Sequence, residues 1–171
     1  MAHDLLSSLE SSSVLLVRDV AGTYRPAAAD EVLQAAQSLL WQQMQGRKVL
    51  ISPQKVRDFL RVRLGGLQHE VFAVLMLDAQ HALIEYVELF RGTVSQTAVY
   101  PREVVKESLA RNAAAVVLVH NHPSGVAEPS RADEHLTQML KSALNLVDVQ
   151  VLDHLIVAGP SVLSFAERGL I

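Results

Sequence analysis

Ala113-Ala114-Ala115-Val116-Val117-Leu118-Val119-His120-Asn121-His122-Pro123-Ser124-Gly125, followed by Pro129-Ser130-Arg131-Ala132-Asp133, is the stretch that decides how this chain is read. The apolar run Ala113 to Val119 reads as a strand covered on both faces. It leads directly into the imidazoles of His120 and His122, the hydroxyls of Ser124 and Ser130 and the carboxylate of Asp133, spread over fourteen residues. Side chains two apart on an extended segment point to one side, so His120 and His122 can face a common point. Pro123, Gly125 and Pro129 break regular structure, and the chain turns before restarting as a helix at Ser130. That turn can bring Asp133, in the first helical turn, back toward the histidines. Two neutral imidazoles and one carboxylate suit a zinc ion, with a fourth position kept for water.

Such an ion acidifies a water molecule and polarises a carbonyl or phosphoryl oxygen, and a base must take the water's proton. Glu70, Glu85, Glu88, Glu103 and Glu107 are the candidates; spacing does not choose among them, although Glu70 stands at the start of a core strand. Each site residue also has a plainer use. Ser130 and Asp133 match the S-x-x-[DE] capping box, the commoner use of that pattern, and Asp133 can serve both purposes. His120 can be a core histidine and His122 a turn residue, yet capping leaves two histidines in register unexplained. His3 reads as part of a loose tail, His81 as a turn residue and His135 as a helix-surface residue. His154 is read as structural, with a hydrogen bond to a metal ligand as the alternative. The string His-Asn-His is unrelated to the nuclease motif of that name, whose residues are widely spaced. Zinc-deaminase chemistry needs cysteines that are absent.

Outward from this stretch, strand and helix signals alternate. Val14 to Val17 and Ala21 to Thr23 suggest a short strand and turn. Asp30 is expected to cap a helix with Val32, Ala36, Leu39, Leu40 and Met44 on one face, ending at Gly46. Ser52-Pro53 starts a second helix, with Val56, Phe59, Leu60 and Leu64 inward and Gly65-Gly66 at its end. Val71 to Leu77 and Ala82 to Phe90 form a hairpin about the turn 78–81. Pro101 opens a helix through Asn112. The helix from Ser130 to about Leu146 should turn Leu136, Met139, Leu140, Ala143 and Leu144 inward. Val149 to Ala158 and Val162 to Phe165 are strands split by Gly159-Pro160. The expectation is an α/β fold with a mixed sheet, in two parts: an N-terminal extension over 1–48 and a main domain over 49–171.

Composition bounds the rest. With 171 residues, half of them hydrophobic, the chain is long enough for a substantial core. No apolar run reaches the roughly 20 residues that span a bilayer, and Met1 to Glu10 do not form a signal peptide. Zero cysteines exclude disulfides and thiolate metal sites; a cytoplasmic setting is expected. Fifteen basic against 18 acidic residues give a net charge of −3, which argues against nucleic acid as the main partner. Arg47, Lys48, Lys55, Arg57, Arg61 and Arg63 are grouped in sequence but read as a solvated helix face. No pattern sets the oligomeric state.

The spacing H-x-H, seven residues, S-x-x-D resembles the metal signature of the JAMM (MPN-plus, Jab-type) metallopeptidases, and every position is filled: His120, His122, Ser130 and Asp133. Glu70-Val71-Phe72, Phe90-Arg91-Gly92-Thr93, Tyr100-Pro101-Arg102-Glu103, His120 to Gly125, Pro129-Ser130 and Leu152-Asp153-His154 resemble its RadC-like branch in particular. The likeness covers about residues 49–171. It implies a cytidine-deaminase-like three-layer α/β sandwich with a mixed central sheet and one zinc ion per chain. His120, His122 and Asp133 would be its ligands, Glu70 the general acid/base, and Ser130 a donor to the oxyanion. Asn121 and Ser124 belong to the branch's motif without an assigned role. Residues 1–48 lack the glycine-containing helix-hairpin-helix pattern of longer members, so the chain resembles the short form.

Three functions follow. The first is a zinc-dependent hydrolase, a metalloprotease cleaving a peptide or isopeptide bond in a peptide or protein substrate, with no membrane involved. The second is a DNA-processing protein, in keeping with the branch's DNA-repair label, which the single metal and acidic charge disfavour. The third is a non-enzymatic interaction module of the kind that has lost its metal ligands, all of which this sequence retains.

Overall fold

The computed structural model describes residues 14–45, 53–92 and 98–171. Expectations for Met1 to Glu10, His3, Gly46, Arg47, Lys48, Ser52 and Thr93 concern residues outside those ranges. The chain divides into two compact units, Met1–Ala36 and Gln37–Ile171.

In the first unit, β1 (Leu16–Arg18) and β2 (Tyr24–Pro26) pair antiparallel, with Leu16 opposite Pro26. The turn between them uses Gly22 at φ +87°, and the Asp19 carboxylate accepts from the Thr23 amide at 2.8 Å. Helix α1 (Ala29–Met44) begins here. Its expected cap, Asp30, lies inside the first turn instead. The Glu31 carboxylate reaches back to the Ala28 amide at 2.8 Å and also pairs with Arg25 at 2.6 Å. A glutamate three residues on thus satisfies a donor that no side chain at the cap position serves.

The second unit holds a five-stranded mixed sheet in the order β4-β3-β5-β6-β7. The strands are β3 (Val71–Leu77), β4 (Leu83–Arg91), β5 (Ala115–Asn121), β6 (Gln150–Ala158) and β7 (Ser161–Ser164). β5 runs antiparallel to β3 and parallel to β6, so it sits at the centre. All seven residues of β3 and all seven of β5 are buried, because helices cover both faces. On one face Val71, Ala73, Leu75, Leu77, Val117 and Val119 meet Val56, Phe59, Leu60 and Leu64 of α2 (Pro53–Leu64) and Met44 of α1. On the other face Phe72, Val74, Met76, Val116 and Leu118 meet Val104 of α3 (Pro101–Ala110) and Leu140 and Leu144 of α4 (Arg131–Asn145). Odd and even strand positions therefore feed separate cores, which yields three layers.

The central strand ends later than its apolar run suggests. β5 extends through His120 and Asn121, both 1% exposed. Polar side chains thus enter the core at the strand's carboxyl end. The α4 face also differs from its apolar pattern. Met139 is 40% exposed and Thr137 is fully buried in its stead. The three arginines of α2 pair with separate carboxylates: Arg57 with Glu167, Arg61 with Asp58 and Arg63 with Glu88. Among the described residues, no helix is long and apolar enough to cross a membrane.

Candidate metal centre

The end of β5 supplies two side chains to one point. His122 lies one residue beyond the strand, but its amide still bonds the Val157 carbonyl at 2.8 Å. The ladder with β6 thus continues far enough to keep His122 on the His120 side. The chain then turns, with the Gly125 amide on the His122 carbonyl at 3.1 Å and Gly125 itself at φ +79°. This turn returns the Val126 carbonyl to His122 Nδ1 at 2.7 Å. A carbonyl only accepts, so Nδ1 carries the hydrogen and the lone pair of a neutral His122 lies on Nε2.

The third group arrives on the first turn of α4. Ser130 is its N-cap in a complete capping box: the Asp133 amide bonds Ser130 Oγ, and the Ser130 amide bonds Asp133 Oδ2 at 2.7 Å. The Ser130 hydroxyl donates to the same Oδ2 at 2.7 Å. One carboxylate oxygen is committed to the helix start, and the other, Oδ1, lies 3.3 Å from His120 Nε2. The oxygen nearest His120 is therefore not the one that caps the helix.

His120 Nε2 and His122 Nε2 are 2.9 Å apart, and His122 Nε2 is 3.6 Å from Asp133 Oδ2. The three residues offer ligand atoms that all lie within 4.8 Å of one another. His120 is sealed, whereas His122 and Asp133 keep side-chain exposures of 19% and 13%, so solvent meets the group on their side. Burial opposes ionisation of Asp133, yet its neighbours His120, His122 and Ser130 hold its carboxyl far below the usual range. The hydrogen bond to Asp133 raises the affinity of His122 for a proton against the opposing effect of burial. Two nitrogen lone pairs and a carboxylate facing one another repel unless a cation lies among them. Two imidazoles and a carboxylate, with no thiolate, form a donor set that fits a borderline divalent metal such as zinc.

Glu70 immediately precedes β3. Phe72 pairs with His120 in the antiparallel β3–β5 register, so Glu70 falls at the end of the sheet where His122 lies. Its charge adds to the rise in the His122 pKa, behind the larger contribution of Asp133. The other candidate bases are engaged elsewhere: Glu85 and Glu107 with Arg111, Glu88 with Arg63, and Glu103 with Lys106.

Two residues without an assigned role acquire contacts. The Asn121 Oδ1 accepts from the Val71 amide at 2.7 Å, and its Nδ2 donates to the His69 carbonyl at 3.0 Å. The amide side chain thereby grips the backbone on both sides of Glu70. Among the described residues, Ser124 Oγ makes only a long contact with the Val126 amide, at 3.4 Å. Behind His120 stands His154, fully buried, with its Nε2 2.8 Å from His120 Nδ1. Thr137 contacts the far nitrogen of His154. Thr137 escaped the reading of the sequence, although a hydroxyl three residues before Leu140, in the inward stripe of α4, was a visible signal. His81 closes the β3–β4 turn, its amide bonding the Asp78 carbonyl at 2.9 Å and its φ at 60°, and His135 is exposed on α4.

Comparison with known proteins gives this geometry a family. The family model described as "RadC-like JAB domain" matches residues 50–170. A UPF0758 protein of Leptothrix cholodnii is 58% identical over all of this chain and 81% of its own length. One from Aromatoleum aromaticum is 55% identical, over all of this chain and 80% of its own. A third, from Paracidovorax citrulli, is 60% identical across 82% of this chain and 59% of its own. Those names assign no activity. With a central strand that ends in His120-Asn121-His122, a helix that opens on Ser130 and Asp133, and these relatives, the chain belongs to the RadC-like JAB domain family.

Proposed function

We propose that the protein is a zinc-dependent hydrolase of JAMM type that cleaves a peptide or isopeptide bond. The observation that carries this reading is the convergence of His120 Nε2, His122 Nε2 and Asp133 Oδ1 at the solvent-facing end of the central strand. Zinc held by these three residues would acidify a water molecule and polarise the carbonyl under attack. Glu70 would take a proton from the attacking water as the carbon–oxygen bond forms. It returns a proton to the amine as the carbon–nitrogen bond breaks. Ser130 donates to the developing oxyanion, for which its hydroxyl turns away from Asp133 Oδ2. Its main-chain amide, also bonded to Oδ2, keeps the carboxylate in place during that rotation.

The test begins with metal content. Purified wild-type protein should hold one zinc per chain, and His120→Ala should lose it. Glu70→Gln should retain zinc and lose turnover of any peptide the wild type cleaves; full activity in that variant overturns the assignment. Phosphodiester chemistry receives little support, because the chain is acidic and Arg57, Arg61 and Arg63 already pair with carboxylates. Chelator-sensitive cleavage of labelled DNA with a steep salt dependence would replace the present reading with that one.

A further inference from the structure

We propose that Thr137 and His154 form a tautomer lock that keeps the hydrogen of His120 on Nδ1 and so leaves Nε2 bare for a divalent cation. The inference rests on the metal site described above and concerns what prepares it.

The contacts form one buried line. The Thr137 hydroxyl lies 2.6 Å from the Asp133 carbonyl oxygen and 2.6 Å from His154 Nδ1. His154 Nε2 lies 2.8 Å from His120 Nδ1. Thr137 and His154 are fully buried and His120 is 1% exposed, so no water competes along the line.

The polarity of this line follows from donor chemistry. A main-chain carbonyl can only accept, and a threonine hydroxyl has one hydrogen. At 2.6 Å from the Asp133 oxygen that hydrogen must point at the carbonyl, since lone pairs would otherwise face each other. The Thr137 oxygen is then an acceptor toward His154, whose Nδ1 carries the hydrogen. The His154 ring is packed against Phe72, edge-on at 5.9 Å, and Phe165, at 4.8 Å. A charged imidazole there would lack a carboxylate against it and would be costly to bury, so its Nε2 is bare. That nitrogen must accept, which makes His120 Nδ1 the donor. The lone pair of His120 is left on Nε2, facing His122 and Asp133. The reverse polarity would place the Thr137 hydrogen on His154 and leave two oxygens 2.6 Å apart with no hydrogen between them.

A histidine filling a core could bond in either sense. Here the sense is dictated by the main chain of Asp133, whose side chain is itself a candidate ligand. One residue thus anchors the line at its far end and completes the site at its near end. Unconstrained histidine favours the opposite tautomer, with its hydrogen on Nε2, which cannot coordinate through that atom until the hydrogen moves. The lock removes this cost.

Thr137→Val keeps the shape of the side chain and removes the hydroxyl; Thr137→Ser restores it. Two readouts apply. Nitrogen-15 spectra of zinc-free protein at mildly alkaline pH should show His120 protonated on Nδ1 in the wild type and the Ser variant, and a loss of that preference in Thr137→Val. Zinc affinity, measured by competition with a chromophoric chelator, should fall about 10- to 100-fold in Thr137→Val, the usual effect of losing a partner behind a ligand, and recover in Thr137→Ser. A His120 protonated on Nε2 in the wild type, or wild-type zinc affinity in a folded Thr137→Val, overturns the lock. Wild-type protein that binds no zinc would instead sink the metal centre, while the spectra still decide the polarity of the line.

Discussion

Replacing Asn121 with alanine should reveal how strongly the sheet end that carries Glu70 is fastened. Asn121 is 1% exposed and bridges two main-chain groups, the Val71 amide at 2.7 Å and the His69 carbonyl at 3.0 Å. Val71 is itself 1% exposed, so truncation strands its N–H away from water. A stranded buried donor costs about 1–3 kcal/mol. The His69 carbonyl belongs to a half-buried residue and can recover part of its bond from solvent. Together with the small cavity left behind, the expected loss is about 2–4 kcal/mol. For a chain of this size that corresponds to a fall in Tm of roughly 5–15 °C. Denaturant and thermal unfolding would measure it, with hydrogen exchange at Val71 as the local readout. Asn121→Asp keeps an acceptor for Val71 but opposes an oxygen to the His69 carbonyl, so it should rescue little. An Asn121→Ala protein as stable as the wild type, with Val71 still protected, would refute the idea that this side chain holds the start of β3.

The remaining predictions concern the helix start, a close contact and the N-terminal unit. Ser130→Ala removes the α4 cap and should lower stability by about 0.5–2 kcal/mol; zinc should stay bound, because the Ser130 amide still holds Asp133 Oδ2, and metal analysis beside urea unfolding checks both. Gly65→Ala would set a Cβ 2.6 Å from the carbonyl oxygens of Arg61 and Gly159; both are main-chain atoms, so a destabilisation of about 1–3 kcal/mol is expected from overpacking, read from the urea midpoint. Glu31 has a folded-state pKa lowered from 4.5 to about 2, first by its hydrogen bond with Arg25 and then by the Ala28 amide. The stabilisation from that depressed pKa is present above pH 4.5 and is lost as pH falls toward 2. Carbon-13 NMR titration of Glu31 should show the low value in the wild type and a rise toward the ordinary range in Arg25→Met.

The elements and the His120, His122 and Asp133 group were open to a reader of the bare chain for identifiable reasons. The Val71–Leu77 run, the Pro53 and Pro101 helix starts, and the Gly65-Gly66 and Gly159-Pro160 breaks are local signals, because φ restriction and apolar patterning act within a few residues. His120, His122 and Asp133 were equally legible, since two-residue strand alternation and a capping box three residues long are short-range devices. Tertiary structure alone decided what surrounds them. Placing Glu70 beside His122 takes the β3–β5 register, and Asn121 reaching His69 and Val71 spans some fifty residues of sequence. His154 meets His120 only because β6 lies parallel to β5, and Thr137 meets His154 only because α4 crosses over that pair. A sequence states which side chains can donate and which can accept; the direction each hydrogen takes is set by the neighbour that long-range packing puts against it.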